Sequence, residues 1–102
     1  MLRLEAVARD SFHVSVNAAS EAITRAGGWI TGHSLLSDAM AVLNFEIRGD
    51  RLHHLLDELG TCGLKAAPPP ERIDPGKDVA GRLTILFSQG SGDLRREVPP
   101  FQ

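Results

Sequence analysis

The sequence predicts an α+β domain in which a four-stranded antiparallel sheet carries two helices on one face. Two extended runs at 29–47 meet at Ser37-Asp38 and indicate a β-hairpin. In its second run, apolar side chains recur at every second position from Ala41 to Ile47. That period of two is typical of a strand with one buried face. Residues 51–59 carry leucines at i, i+3, i+4 and i+7, which indicates an amphipathic helix.

The first strand is predicted at 11–16, where apolar residues alternate with His13 and Ser15, and an extension back toward Leu2 is left open. Asn17 is a suitable N-cap for a helix that continues with alanines and Ile23. Gly27 is expected to end this helix, because glycine adopts the left-handed conformation without strain.

Asp50 is expected to cap the second helix, and Gly60 to end it. The proline-rich stretch 66–77 is predicted to be a surface loop. The last strand is predicted at 79–88. Residues 1–88 then form one domain, and 89–102, rich in Gly, Pro and charge, form a flexible tail.

The order strand, helix, strand, strand, helix, strand predicts a ferredoxin-like βαββαβ fold. Its third strand is expected to lie between the first and the second. The helix side of the sheet is predicted to bury Phe12, Val14, Val16, Ile30, Leu43, Phe45, Ile47, Leu83, Ile85 and Phe87. The opposite side is predicted to carry His13, Ser15, Trp29, Thr31, His33, Val42, Asn44, Glu46, Arg82, Thr84 and Leu86.

Composition excludes several classes of partner. The chain has 102 residues, a formal net charge of −2 and a pI of about 6.0, which argues against nucleic acid and anionic membranes. No apolar run approaches a membrane span of about 20 residues. The N-terminal segment lacks a signal-peptide core, and Cys62 is the single cysteine, so a cytoplasmic location is expected.

Residues 12–65 resemble an ACT domain, the small ligand-sensing module of amino-acid metabolism. The residues that carry the resemblance are F-H-V-S-V, A-G-G-W-I, the hairpin, and N-F-E-I followed by L-H-H-L-L-D-E-L-G-T-C-G-L. The resemblance implies a regulatory or binding module without catalytic activity or cofactor. It also implies a homodimer that senses an amino acid or similar effector at its interface.

Carried over by position, the resemblance places ligand binding at Asn17, Ala18, Gly27, Gly28 and Trp29. The family's first turn usually carries an acidic residue and a Pro-Gly-like pair, whereas this chain reads N-A-A-S. A dimer interface is expected at Trp29, Thr31 and His33. Trp29 is favoured there because aromatic side chains often anchor interfaces, and because a small domain benefits from extra burial.

The same residues bear on three other functions. An acylphosphatase-type hydrolase needs an arginine after the first strand, and 10–20 contain none. An RNA-binding sheet needs stacked aromatics on a basic surface, whereas the predicted open face of this acidic chain offers His13, Ser15, Asn44 and Glu46. A dimerisation or assembly domain without a small ligand remains open.

The pattern of histidines and the single cysteine indicate neither a metal-binding site nor a catalytic nucleophile. His13, His33 and Glu46 are predicted too far apart to share an ion, and no metal-binding spacing is present. His53 and His54 each precede an acidic residue by four positions, which predicts surface i,i+4 pairs. Cys62 is predicted to be a half-buried structural thiol.

Overall fold

A computed structural model describes residues 1–88, which form four strands and two α-helices. The predicted tail 89–102 lies outside the described residues. The elements, in chain order, are β1 (Leu2–Ala8), α1 (Phe12–Arg25), β2 (Trp29–Ser37), β3 (Met40–Arg48), a 3₁₀ turn (Gly49–Arg51), α2 (Leu52–Thr61) and β4 (Asp78–Phe87). The predicted α+β class with four strands and two helices is confirmed.

The prediction of a first strand at 11–16 is wrong, because Phe12 begins α1. The five residues F-H-V-S-V fit a period of two, but Phe12, Val16, Ala19 and Ile23 also follow helical spacing. The longer alternation is L-R-L-E-A-V-A, whose leucines and alanines are buried while Arg3, Glu5 and Val7 are exposed. That segment forms β1.

The cap of α1 is Ser11, whose hydroxyl accepts the backbone N–H of Val14 at 3.4 Å. Asn17 therefore lies inside the helix, and the prediction that it caps the helix is wrong. Val14 is 54% exposed rather than in the core. Gly27 has φ +95° and donates its backbone N–H to the Thr24 carbonyl, so the predicted helix end is confirmed.

The hairpin is confirmed, with β2 antiparallel to β3. Its turn is at Asp38-Ala39, one residue later than predicted, and the Ala39 backbone N–H donates to Ser37 Oγ at 3.0 Å. Two register shifts, between Ile30 and Gly32 and between Leu35 and Ser37, interrupt the ladder. Between them the strand is regular.

The second helix is confirmed at its predicted place, but its ends differ. Asp50 does not cap it, because its carboxylate is bound to Arg48. Gly60 lies within the helix, which continues to Thr61. Gly63, with φ +86°, is the residue that adopts the left-handed conformation beyond the helix.

The sheet has the strand order β1-β4-β3-β2 and is mixed, because β1 and β4 are parallel. The predicted all-antiparallel sheet is therefore wrong, as is the expectation that β3 lies directly between β1 and β2. The sequence of elements is compatible with a ferredoxin-like fold, but this strand order places β4 in the interior and β1 at an edge.

The chain returns to the sheet through a connection of 16 residues between α2 and β4. It brings the chain back to the end of β3, where the Gly49 N–H donates to the Lys77 carbonyl and the Asp50 N–H to the Pro75 carbonyl. Strand β4 consequently starts beside Arg48 and runs antiparallel to β3.

The core lies between the two helices and one face of the sheet. The predicted core residues Leu43, Phe45, Ile47, Leu83, Ile85 and Phe87 are buried. Phe12, Val16 and Ile30 are partly buried and pack against the core. The other side of the sheet, called the open face below, has no helix over it among the described residues.

Candidate interaction surface

The predicted ligand-binding residues do not meet at one point. Gly27 and Gly28 form the turn from α1 to β2, and Trp29 begins β2. Asn17 and Ala18 lie within α1, ten positions before the two glycines, or about 15 Å at the rise of an α-helix. Because the chain enters α1 at Phe12, the strand-to-helix turn is not at Asn17.

A groove of about 350 Å³ beside this turn is lined by Gly27, Arg48, Asp50 and Arg51. Arg51 Nε donates to the Ala26 carbonyl at 2.9 Å and so binds the C-terminal end of α1. The Arg48 guanidinium donates to both oxygens of the Asp50 carboxylate. This hydrogen bonding lowers the pKa of Asp50 from its ordinary value and raises the pKa of Arg48.

Strand β2 is an edge of the sheet, and much of it is exposed. Leu35 is 52% exposed, Leu36 is 60% exposed and Trp29 is 45% exposed. Its sequence, W-I-T-G-H-S-L-L-S, contains no Lys, Arg, Asp, Glu or Pro. Those are residues that natural edge strands use to prevent pairing with another strand.

The opposite edge strand, β1, is different. It carries Arg3 and Glu5, both exposed. Charged side chains on an edge discourage a further strand from adding there. The two edges of the sheet are therefore unequal, and β2 is the less protected one.

The predicted interface residues Trp29, Thr31 and His33 are all exposed on β2. They do not share one face. Trp29 pairs with Glu46 on the open face, whereas His33 pairs with Leu43, whose side chain is in the core. Thr31 lies at the first register shift. The assignment of His33 to the open face is therefore wrong.

The open face carries an apolar end and a charged end. Val7, Leu86 and Met40 are neighbours across β1, β4 and β3, and Thr84 and Val42 form the adjacent pair. Arg3, Arg82 and Asn44 follow, and Arg82 Nε donates to Asn44 Oδ1 at 3.3 Å. Val42, Asn44, Glu46, Arg82, Thr84 and Leu86 are thus on this face as predicted.

His13 and Ser15 are not on the open face, since both belong to α1. His13 is exposed, and its ring lies 5.0 Å from that of Phe12. Ser15 is only 3% exposed, and its hydroxyl donates to the Asp10 carbonyl at 3.4 Å. Within residues 1–88, no three His, Cys, Asp or Glu side chains are grouped closely enough to hold a metal ion.

Of the remaining side chains in the prediction, His54 and Cys62 have structural partners, whereas the predicted His53–Asp57 pair is not among the ion pairs of residues 1–88. His54 Nε2 lies 3.7 Å from Glu58 Oε2, which is the predicted i,i+4 pair, and Glu58 also accepts from Arg25 Nε at 2.9 Å. Cys62 is half-buried, and its Sγ lies 3.4 Å from the Glu58 and Leu59 carbonyls.

Sequence reasoning did not identify Leu35 and Leu36 as exposed apolar residues of the candidate surface. A signal was present, because successive side chains of a strand point to opposite faces, so two adjacent leucines cannot both enter one core. Their exposure on an edge strand needed the strand order as well.

Comparison of the chain with protein-family models, with curated proteins and with solved structures finds no match in any of the three. In the described part of the chain, neither helix has the length and apolar character that crossing a membrane requires.

Proposed function

We propose that this chain is a non-catalytic assembly module that forms a homodimer when a second copy adds to the edge of β2. The observation that carries the proposal is the absence of charge and proline from this edge strand, which is regular from Gly32 to Leu35 between its two register shifts. Nine consecutive residues, Trp29–Ser37, form an edge strand without a charged residue or proline, whereas the other edge carries Arg3 and Glu5.

Edge pairing supplies two kinds of stabilisation. Backbone N–H and C=O groups on the outer side of β2 gain partners, as in strand addition to an exposed edge. Leu35 and Leu36, more than half exposed in one chain, lose water contact. Because apolar burial contributes about 25 cal/mol per Å², each leucine contributes on the order of 1 kcal/mol in each copy. A reversible dimer is the expected result.

Sedimentation velocity over a concentration series tests the proposal. The wild-type protein should approach twice the 11.0 kDa mass of one chain as concentration rises. Leu35→Lys should weaken association about tenfold or more, because a lysine on the edge has to be buried or displaced in the dimer. Hydrogen exchange should show β2 amides gaining protection with concentration in the wild type only.

Val14→Lys is the matched control. Val14 is 54% exposed, close to Leu35 at 52%, but it lies on α1 and away from the edge. This variant should associate like the wild type. A wild-type protein that keeps the mass of one chain at every concentration, or a Leu35→Lys variant that associates normally, would contradict the proposal.

A second candidate is an amino-acid effector bound in the groove beside Gly27. The groove is lined by Arg51 and by the Arg48–Asp50 ion pair, and guanidinium and carboxylate groups are those that bind the carboxylate and ammonium groups of an amino acid. Its volume of about 350 Å³ is at the small end of ligand sites. This groove includes Gly27 of the predicted site but not Asn17 or Ala18.

A thermal-shift screen against the common amino acids tests the effector. A ligand present at about 100 times its dissociation constant adds about 2.7 kcal/mol to folding stability. The midpoint should therefore rise by several degrees for at least one amino acid, and the rise should be smaller in Arg48→Gln. No rise for any amino acid would exclude this candidate while leaving the assembly proposal untouched.

A further inference from the structure

Strand β2 carries one titratable side chain, His33, inside its regular segment. That segment runs from Gly32 to Leu35 between the two register shifts, and His33 pairs there with Leu43 of β3. The other residues of Trp29–Ser37 are apolar, hydroxylated or glycine and keep their charge state near neutral pH. A change of pH near neutrality therefore alters the charge of β2 only through His33.

Within its own chain His33 is exposed, and none of the ion pairs among residues 1–88 includes it. The helix-side residues of β3, from Ala41 to Ile47, are buried and apolar, whereas Glu46 lies on the open face. Helix α1 also packs against β2, and its titratable side chains are His13, Glu21 and Arg25. Arg25 is bound to Glu21 and to Glu58. Water is thus left to solvate a protonated His33 in the single chain.

Pairing of β2 with a second copy would cover His33. A two-fold axis normal to the sheet makes the two strands antiparallel and sets side chains of the same sheet face opposite each other. With Gly32–Leu35 at the centre, the axis passes through His33 or through Ser34. His33 then faces either His33 of the partner subunit or Leu35 of the partner subunit. Because the Cβ atoms of such opposite residues are about 4.5–5.5 Å apart, the imidazole loses water in both arrangements.

We propose, on the basis of the homodimer proposed above, that protonation of His33 weakens the pairing of the two β2 strands. Histidine is the side chain that gains a positive charge between about pH 8 and pH 5. Two imidazolium groups opposite each other repel, and an imidazolium opposite a leucine loses its hydration against an apolar group. A proton therefore binds the single chain more tightly than the dimer, and acidification shifts the equilibrium toward the single chain.

Sedimentation velocity over a concentration series at about pH 8 and about pH 5.5 tests this regulation. The wild-type dissociation constant should rise about tenfold or more on acidification, because each dimer contains two His33 side chains. His33→Gln keeps a polar side chain that stays neutral, so its dissociation constant should change less than about threefold between the two pH values. His53→Gln is the matched control, because His53 is also exposed but lies on α2, and it should retain the wild-type pH dependence.

Failure of the regulation and failure of the dimer give different results. A wild-type protein that dimerises equally at both pH values overturns the role of His33 and leaves the dimer standing. A His33→Gln protein that dissociates in acid as strongly as the wild type does the same, since another group or acid unfolding is then responsible. A wild-type protein that keeps the mass of one chain at both pH values overturns both proposals.

Discussion

Replacement of Gly81 by alanine tests how tightly the centre of the sheet is packed. Gly81 on β4 is the direct partner of Phe45 on β3, and the Phe45 ring lies over it. A Cβ at Gly81 would be 2.5 Å from Phe45 Cζ, 2.8 Å from Cε2 and 2.9 Å from Cε1. Ordinary carbon contacts are about 3.5–4.0 Å, so the ring would have to move by roughly 1 Å.

The Phe45 ring has little room to move, because Phe45 is 1% exposed. Overpacking of a dense core costs about 1–3 kcal/mol. The lower entropy of the unfolded chain with alanine offsets about 0.4–1 kcal/mol of this. Gly81→Ala should therefore lower the free energy of unfolding by about 1–2 kcal/mol, which corresponds to a midpoint decrease of roughly 5–15 °C for a domain of this size.

Urea unfolding followed by circular dichroism measures this change. Gly32→Ala is the control, because a Cβ there meets only Asn44 Nδ2, at 3.9 Å. It should be neutral or slightly stabilising, with an unchanged m-value. In a Phe45→Leu background Gly81→Ala should cost about 1 kcal/mol less, since the obstructing ring is gone. An equal cost in both backgrounds, or a Gly81→Ala protein as stable as the wild type, would refute the packing argument.

Three further predictions concern the loops and the helix end. Gly49→Ala should destabilise by about 2 kcal/mol or more in urea unfolding, because its Cβ would overlap the Asp74 carbonyl, whose backbone cannot yield easily. Gly60→Ala and Gly63→Ala form a pair with no atom within 4 Å of the added Cβ. Gly60→Ala should stabilise the protein by about 0.5–1 kcal/mol because Gly60 is a helical residue, and Gly63→Ala should destabilise it by about 1 kcal/mol because the φ of Gly63 is positive. Equal effects of the two substitutions would contradict this reasoning. The hydrogen bond from Arg48 lowers the pKa of Asp50 below its ordinary value of 3.8. The stability that this ion pair contributes is therefore present above pH 3.8 and is lost as the pH falls through the lower pKa of the folded state. Thermal midpoints measured from neutral to acidic pH should therefore fall less in Asp50→Asn than in the wild type, and identical pH profiles would show that the pair does not stabilise the fold.

Local patterns in the sequence were sufficient for the hairpin, α2 and most of the sheet core. The alternation in β3 and the leucine spacing in α2 extend over enough residues to select one period. The five residues F-H-V-S-V are too few to select one period. They are helical because Ser11 caps the helix and because Val16, Ala19 and Ile23 continue its apolar side. A local pattern of this length cannot choose between a strand and a helix without its neighbours.

The candidate surfaces depended on information that local patterns do not contain. The sequence by itself indicated an extended run without charged residues that begins at Trp29 and leads into the hairpin, whereas the position of β1, which carries Arg3 and Glu5, came only from the structure. Only the tertiary structure decided that β2 and β1 are the two edges and that β4 lies between β1 and β3. The physical reason is that strand order is set by long-range hydrogen bonding and by how the loop from α2 docks on Gly49, and neither is encoded in the periodicity of a single segment.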